Sequence, residues 1–189
     1  MANKNHHIDR YEIRLAGEGG QGMILAGIIL AEAAAIYDGK NACQTQVYGP
    51  EARGGASKAE VIIAQGEIDH PEVITADALV AMSQEACDKY GSNLKREGFL
   101  IVDEEKVGRV PSSRAIKVPI TRLAQESSGK TITANVVALG VLVGLTGVVS
   151  RSAIEKAVAA RAPKGTEAMN KAALEAGFTA ADLISNKRD

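Results

Sequence analysis

Short apolar runs alternate with longer, helix-like segments along most of the chain. Tyr11–Ala16 (YEIRLA) is typical of a strand, and Gly22–Tyr37 (GMILAGIILAEAAAIY) is typical of a buried helix because Glu32 is its only charged residue. A polar loop is expected over Asp38–Gly55. Four later apolar runs predict strands, at 56–65 (ASKAEVIIAQ), 78–83 (ALVAMS), 99–103 (FLIVD) and 114–120 (RAIKVPI). Buried strands of this kind predict a mostly parallel sheet.

The remainder of the chain, from about Thr131, has a helical pattern. Three helices are predicted, over 133–149 (TANVVALGVLVGLTGVV), 150–162 (SRSAIEKAVAARA) and 166–184 (TEAMNKAALEAGFTAADLI). Ser150 is a predicted N-cap and Gly177 a predicted C-cap. The apolar run Val136–Val149 has fourteen residues. A membrane span needs roughly 20, so we expect this run to be a helix buried against the sheet.

These elements together predict one α/β domain. We expect three layers with a mostly parallel sheet and a helical C-terminal part. The domain is expected over residues 11–185, after a polar N-terminal extension at residues 1–10. A length of 189 residues suits one well-buried domain.

The charge and the cysteine content exclude several kinds of partner. The formal net charge is -1 and no run of Lys or Arg occurs, so neither nucleic acid nor a membrane surface is an expected partner. Cys43 and Cys87 are too few for an iron–sulfur cluster and the three histidines lack ligand spacing, so we expect no metal site. The polar N-terminus and the two thiols indicate a cytoplasmic protein.

The segment Gly17–Gly22 (GEGGQG) lies between the first predicted strand and the first predicted helix. Gly17, Gly19 and Gly22 have the spacing of the fingerprint that seats a pyrophosphate. In that fingerprint the first glycine allows a tight turn, the second lets a phosphate approach, and the third packs the helix on the strand. The helix N-terminus then attracts the anion. The motif alone supports an anion site and a simple packing turn about equally.

A dinucleotide site also needs an acidic residue at the end of the second strand, roughly 20 residues after the glycines. Asp38 comes before that position, and no other carboxylate occurs until Glu51. A stand-alone NAD-binding dehydrogenase or nucleotide sensor is therefore the alternative function and not the favoured one.

The loop Tyr48–Gly55 (YGPEARGG) has the composition of a binding surface. Tyrosine and arginine are residue types that anchor interfaces, while glycine and proline restrict the backbone. If Arg53 pairs only with Glu51, the loop is instead an ordinary solvated turn. The expected subunit interface consists of Tyr48, Gly49, Pro50, Glu51, Arg53, Gly54 and Gly55.

Five segments, in this order, carry a resemblance to a known family. They are 17–34 (GEGGQGMILAGIILAEAA), 45–61 (TQVYGPEARGGASKAEV), 68–86 (IDHPEVITADALVAMSQEA), 133–158 (TANVVALGVLVGLTGVVSRSAIEKAV) and 170–177 (NKAALEAG). Together they resemble the gamma subunits of the 2-oxoacid:ferredoxin oxidoreductases, of the pyruvate, 2-oxoglutarate and ketoisovalerate types. The resemblance extends from about Tyr11 to Gly177.

The resemblance implies a Rossmann-like accessory subunit without catalytic residues of its own, inactive in isolation. It implies a complex that converts 2-oxoglutarate or a related 2-oxoacid, with coenzyme A, to acyl-CoA and CO2 and reduces ferredoxin. The implied partners are alpha and beta subunits and, in some complexes, a delta subunit. Thiamine diphosphate with Mg would lie between alpha and beta, and iron–sulfur clusters in beta or delta. The implied turn for a coenzyme A phosphate or for docking consists of Gly17, Gly19, Gly20, Gln21 and Gly22.

Overall fold

A six-stranded sheet runs through the centre of the protein, in the order β2-β3-β1-β4-β5-β6. The computed structural model describes residues 9–47 and 56–187. The strands are β1 (Arg10–Glu18), β2 (Asn41–Val47), β3 (Ala56–Ala64), β4 (Ala76–Ala81), β5 (Leu94–Asp103) and β6 (Ile116–Val118). β1, β4, β5 and β6 are mutually parallel, whereas β3 pairs antiparallel with both β1 and β2. The predicted mostly parallel sheet is confirmed.

Helices cover both faces of this sheet unequally. They are α1 (Met23–Glu32), α2 (Gln84–Tyr90), α3 (Ile120–Ser128), α4 (Ala134–Thr146), α5 (Arg151–Arg161) and α6 (Glu167–Ser185). The larger apolar core joins one face of the sheet to residues of α1 and α3–α6. A smaller core joins the opposite face to α2. The three-layer α/β architecture and its helical C-terminal part are therefore confirmed.

Apolar side chains of β1 point to both faces of the sheet, so both faces have to be covered by helices. Ile13 and Leu15 belong to the larger core, whereas Ala16 belongs to the smaller one. Arg14 points to the same face as Ala16, since successive residues of a strand face opposite sides. A strand buried on both faces lies in the middle of a layered fold.

Helices α4 and α6 are in direct backbone contact through two glycines. The Cα of Gly140 lies 2.8 Å from the position that a Cβ of Gly177 would occupy. Gly177 lies in the middle of α6 (Glu167–Ser185) and does not end a helix, so its predicted C-cap role is wrong. The predicted buried helix over Val136–Val149 is present as α4, which ends at Thr146 before Gly147 in a left-handed conformation. Within the described part of the chain, we find no helix with the length and apolar character that crossing a membrane requires.

Strand β2 and helix α3 differ from the sequence prediction, and helix α2 was not predicted either. The predicted polar loop contains β2, because uncharged polar residues such as those of Asn41–Val47 are tolerated in a strand at the edge of a sheet. Helix α3 follows directly on the short β6, where only a strand was predicted. Ser150, by contrast, is confirmed as an N-cap, since its Oγ accepts a hydrogen bond from the backbone N–H of Ala153.

Candidate functional site

The glycine turn lies at the carboxyl ends of the parallel strands. The helices that follow two adjacent strands there pack on opposite faces of the sheet. β1 leads into α1 on the face of the larger core, and β4 leads into α2 on the other face. β1 and β4 are adjacent and parallel. Such a reversal is the position at which α/β sheets bind ligands, beyond the carboxyl ends of the strands.

The turn itself depends on two glycines with positive φ. Gly20 has φ 88° and Gly22 has φ 73°, a region that side chains other than glycine rarely adopt. The backbone N–H of Gln21 donates to the carbonyl of Glu18 at 3.2 Å. Among the described residues, no atom of a non-adjacent residue lies within 4 Å of the position that a Cβ on Gly19 or Gly20 would take, so this part of the chain leaves the backbone there open to a ligand.

The glycines have different roles from those of the fingerprint. Gly17 lies within β1, and a Cβ on it would come within 2.3 Å of Oε1 of Gln21 and 3.1 Å of the Cβ of Met82. The close approach of helix to strand is made by Gly27 of α1, whose Cβ would lie 2.7 Å from that of Ala59. Gly27 lies outside the GEGGQG segment, and the motif gave no indication of it.

Gln21 ties the turn to the neighbouring strand. Its Oε1 accepts the backbone N–H of Glu18 at 2.7 Å, and its Nε2 donates to the carbonyl of Met82 at 3.0 Å. Both ends of this amide are therefore engaged within the chain. Gln21 shapes the crevice between β1 and β4.

The N-terminus of α1 is available to an anion. Gly22 is its N-cap and supplies no side-chain hydrogen bond, and the first turn contains no acidic residue. The first N–H groups of a helix carry a partial positive charge and need acceptors. The side chain of Asn135 reaches this point from α4 and donates from Nδ2 to the carbonyl of Gly22 at 3.3 Å.

A groove of about 400 Å³ opens beside the turn. It is bounded by the starts of α1, α4 and α6, the end of α5 and the short turn Thr131–Thr133. Apolar side chains at its mouth include Leu25 and Ile132, the latter 72% exposed. The amide side chains of Asn135 and Asn170 also line it. A concave apolar surface with a few polar groups is typical of ligand sites.

Two cationic side chains border the groove. Lys130 is exposed on one side, and Arg161 lies on the other. The Nε of Arg161 donates to Oε2 of Glu32 at 2.9 Å. This hydrogen bond lowers the pKa of the Glu32 carboxyl below its ordinary value. Arg161 is thus held by Glu32 at the groove, whereas Lys130 is the more available cation.

The loop predicted to be an interface, Tyr48–Gly55, lies outside the described residues. The strands on either side of it fix where the chain enters and leaves it. Ala56 of β3 is opposite Glu18 of β1, and Val47 of β2 is opposite Lys58 of β3. The described strand ends that flank the loop, Val47 and Ala56, therefore lie at the same ends of the strands as the glycine turn.

Asp38, the acid that precedes the position expected in a dinucleotide site, has a structural role. Its carboxylate accepts the backbone N–H and the Oγ–H of Ser150, each at 2.7 Å. It therefore supports the start of α5, and β2 (Asn41–Val47) contains no acidic residue. Nothing in this geometry favours the NAD-binding alternative.

Two other acids, at the ends of strands, also have structural roles. Asp103 at the end of β5 accepts the backbone N–H groups of Glu105 at 3.1 Å and Thr121 at 3.0 Å, which supports the start of α3. Asp77 at the start of β4 accepts hydrogen bonds from the backbone N–H of Glu12 and from Nζ of Lys95, each at 2.8 Å.

Residues 9–47 and 56–187 contain no group of three or more His, Cys, Asp or Glu side chains that could hold a metal ion. Cys43 is half-buried and Cys87 is buried. Burial raises the pKa of the Cys87 thiol, so this group is not an activated nucleophile.

Comparison with known proteins identifies relatives over almost the whole chain. Residues 12–180 match the family described as pyruvate ferredoxin/flavodoxin oxidoreductase. The chain is 50% identical over 183 residues to 2-oxoglutarate synthase subunit KorC of Methanocaldococcus jannaschii, covering 95% of this chain and 98% of that protein. It is 31% identical over 154 residues to pyruvate synthase subunit PorC of the same organism, covering 78% and 83%.

A solved structure agrees with this relationship. The keto/oxoacid ferredoxin oxidoreductase gamma subunit of Geobacter sulfurreducens PCA superimposes with a TM-score of 0.84 at 51% identity, covering 92% of this chain and 97% of that one. The glycine turn lies within the matched family region, which also contains most of the sheet and of the C-terminal helices. The chain therefore belongs to the pyruvate ferredoxin/flavodoxin oxidoreductase family, as a gamma-type subunit of an oxidoreductase complex, which confirms the resemblance seen in the sequence.

Proposed function

We propose that the chain is the gamma subunit of a cytoplasmic complex that oxidises 2-oxoglutarate with coenzyme A, releases CO2 and reduces ferredoxin. The choice of substrate rests on two proteins of one organism. The chain is 50% identical to KorC of M. jannaschii but only 31% identical to PorC of M. jannaschii. The test is to purify the complex through this chain and compare kcat/KM for 2-oxoglutarate and pyruvate. A preference for pyruvate would contradict the assignment.

The proposed division of labour places the redox cofactors in other subunits. Thiamine diphosphate with Mg is proposed to lie between the alpha and beta subunits, and the iron–sulfur clusters in beta or delta. The two cysteines of this chain support that division, because a cluster normally takes four thiolates. The purified chain by itself is then expected to be colourless and inactive with 2-oxoacids.

The glycine turn and the adjoining groove are proposed to hold coenzyme A. Coenzyme A supplies the thiol that accepts the acyl group. Its phosphates would meet the open N-terminus of α1, beside the exposed Lys130. Its apolar arm would lie in the groove, against Leu25 and Ile132. The geometry of Gly19 and Gly20 supports this use, because no atom of a non-adjacent residue within 9–47 or 56–187 lies within 4 Å of where their Cβ atoms would be.

Replacing Gly19 with valine is expected to raise the KM for coenzyme A tenfold or more, which is about 1.4 kcal/mol, without lowering the Tm of the free chain. The added side chain would lie in open space and at an ordinary φ, so the fold tolerates it. The measurement is steady-state kinetics of the reconstituted complex together with thermal unfolding of the free chain.

Gly66→Val is the matched control for this prediction, since Gly66 also lies in open space with an ordinary φ. A Gly19→Val variant with weaker assembly but an unchanged KM would indicate a docking turn. Equal losses of stability and activity would indicate that the turn only packs the helix on the strand.

The loop Tyr48–Gly55 is proposed to contact the alpha and beta subunits at the coenzyme A side of the complex. The convergence of its flanking strand ends on the glycine-turn edge supports this proposal. Arg53→Ala is expected to weaken assembly by about 2 kcal/mol or more, as for an interface anchor. If Arg53 pairs only with Glu51 in solvent, the loss would be roughly 1 kcal/mol or less.

The assembly test is a quantitative pull-down of the partner subunits with wild-type and variant chains. Arg96→Ala serves as the control, because Arg96 is exposed near the start of β5, at the opposite edge of the sheet. If Arg53→Ala changes neither the binding of the partner subunits nor the turnover, the loop is not part of the functional site.

A further inference from the structure

Helix α4 contains one buried amide in an otherwise apolar segment. All ten residues of 134–143 are buried, and Asn135 is the only one of them with a polar side chain. Burying an amide costs free energy unless it is hydrogen-bonded. The hydrogen-bond partner of this amide therefore matters for the stability of the local structure.

The partner of this amide is the residue at which the glycine turn becomes a helix. Nδ2 of Asn135 donates to the carbonyl of Gly22 at 3.3 Å. The same carbonyl accepts the backbone N–H of Ala26 at 2.9 Å and so begins the hydrogen-bond ladder of α1. A Cβ on Gly22 would lie 2.7 Å from Nδ2, so any other residue there would displace the Asn135 amide.

The position of Asn135 is itself rigidly determined. It is the second residue of α4, and α4 is fixed to α6 by the backbone contact between Gly140 and Gly177. The preceding residue, Gln21, is fixed to the carbonyl of Met82, directly after β4. The turn is thus held just before α1 by two amides, one from its own segment and one from the helical layer.

We propose that Asn135 is a positioning residue for coenzyme binding. It holds Gly22 at its positive φ and thereby sets the direction in which the first N–H groups of α1 face the groove. Its role is exerted through Gly22 and does not require contact with the ligand. This inference rests on the proposed use of the turn and groove for coenzyme A.

Asn135→Asp tests the proposal, because the variant has the same shape but replaces the donating NH2 by an oxygen opposite the Gly22 carbonyl. In the reconstituted complex we expect the KM for coenzyme A to rise about tenfold, equivalent to ~1.4 kcal/mol, while the KM for 2-oxoglutarate stays within about twofold. Asn135→Leu, which removes the donor without adding a charge, is expected to act in the same direction.

Asn41→Asp is the matched control. Asn41 lies outside the groove, at the start of β2, and its Nδ2 likewise donates to a backbone carbonyl, that of Gly66 at 2.9 Å. This variant is expected to leave both KM values unchanged. An equal rise in the KM for coenzyme A in Asn135→Asp and Asn41→Asp would overturn the specific role of Asn135.

Hydrogen exchange of the full free chain gives a second readout. In Asn135→Asp the amides of residues 19–25 should exchange faster, whereas those of α6 should not change. Unchanged exchange in the turn, or faster exchange with an unchanged KM for coenzyme A, would overturn the inference. The kinetics of Gly19→Val in the reconstituted complex separate the positioning role from the coenzyme site itself. If Gly19→Val raises the KM for coenzyme A and Asn135→Asp does not, only the positioning role fails. If neither variant changes the KM, the proposed coenzyme site fails as well.

Discussion

Glu60→Ala is expected to destabilise the fold by about 3 kcal/mol, because it leaves a buried guanidinium without its carboxylate. The Arg14 side chain is only 4% exposed, and its Nε lies 2.8 Å from Oε1 of Glu60. Its Nη2 donates to the carbonyl of Val73 at 3.1 Å. Among the described residues, its buried Nη1 has no hydrogen-bond partner, and the guanidinium lies 5.2 Å from the centre of the Tyr90 ring.

Urea unfolding of the free chain measures this loss. Glu126→Ala is the control, since Glu126 pairs with Arg122 on the surface of α3 and its removal should cost less than about 0.5 kcal/mol. The double variant Arg14→Met/Glu60→Leu should recover most of the stability, because it removes both buried charges together. If Glu60→Ala is no more destabilising than Glu126→Ala, the pair contributes nothing beyond a surface contact.

Gly177→Ala is expected to lower the free energy of unfolding by about 2–3 kcal/mol net. The new Cβ would lie 2.3 Å from the carbonyl oxygen of Val137 and 2.8 Å from the Cα of Gly140, and neither is an atom that a rotamer change can move. Helices α4 and α6 would have to separate. The better helix propensity of alanine, about 1 kcal/mol, offsets only part of this cost.

Differential scanning calorimetry should show a Tm lower by about 5–10 °C for Gly177→Ala. Gly66→Ala, in open space, should change the free energy of unfolding by less than about 0.5 kcal/mol. Gly144→Ala is an intermediate case, because its Cβ would meet a methyl group, that of Ala181, at 2.5 Å. Equal stability of the Gly177 and Gly66 variants would contradict the rigid packing of these helices.

The sequence predicts those parts of the fold whose signal is local. The apolar runs located five of the six strands and the helices α1 and α4–α6. Helix α3 was missed although its signal is present: Ile120, Leu123 and Ala124 are spaced for one helix face, after Pro119 and before Gly129. Strand β2 has no such signal, because its polar residues gain their strand conformation from pairing with β3.

The glycine turn was predictable from the sequence, but the contacts that hold it were not. The spacing of the glycines between a predicted strand and a predicted helix identified Gly17–Gly22 as a turn, and the structure has that turn. Asn135, however, lies more than a hundred residues away in sequence and meets Gly22 only because α4 packs beside α1. The misinterpretation of Gly177 has the same cause, since its partner Gly140 belongs to another helix. Contacts between distant segments are set by packing and leave no periodic trace in either segment.

The reversed direction of β3 removes the ribose-binding position of a dinucleotide site from the glycine turn. In a dinucleotide-binding unit the strand next to the first is parallel to it and ends in the acid that binds the ribose. Here that place is taken by β3, and β2 lies one strand further out. Strands are spaced about 4.8 Å apart, so the end of β2 is roughly 10 Å from β1. An acidic residue at the end of β2 would therefore be too remote to bind a ribose at the glycine turn. A dinucleotide site of that kind would require a different strand order, so a single acidic substitution is not expected to create NAD binding.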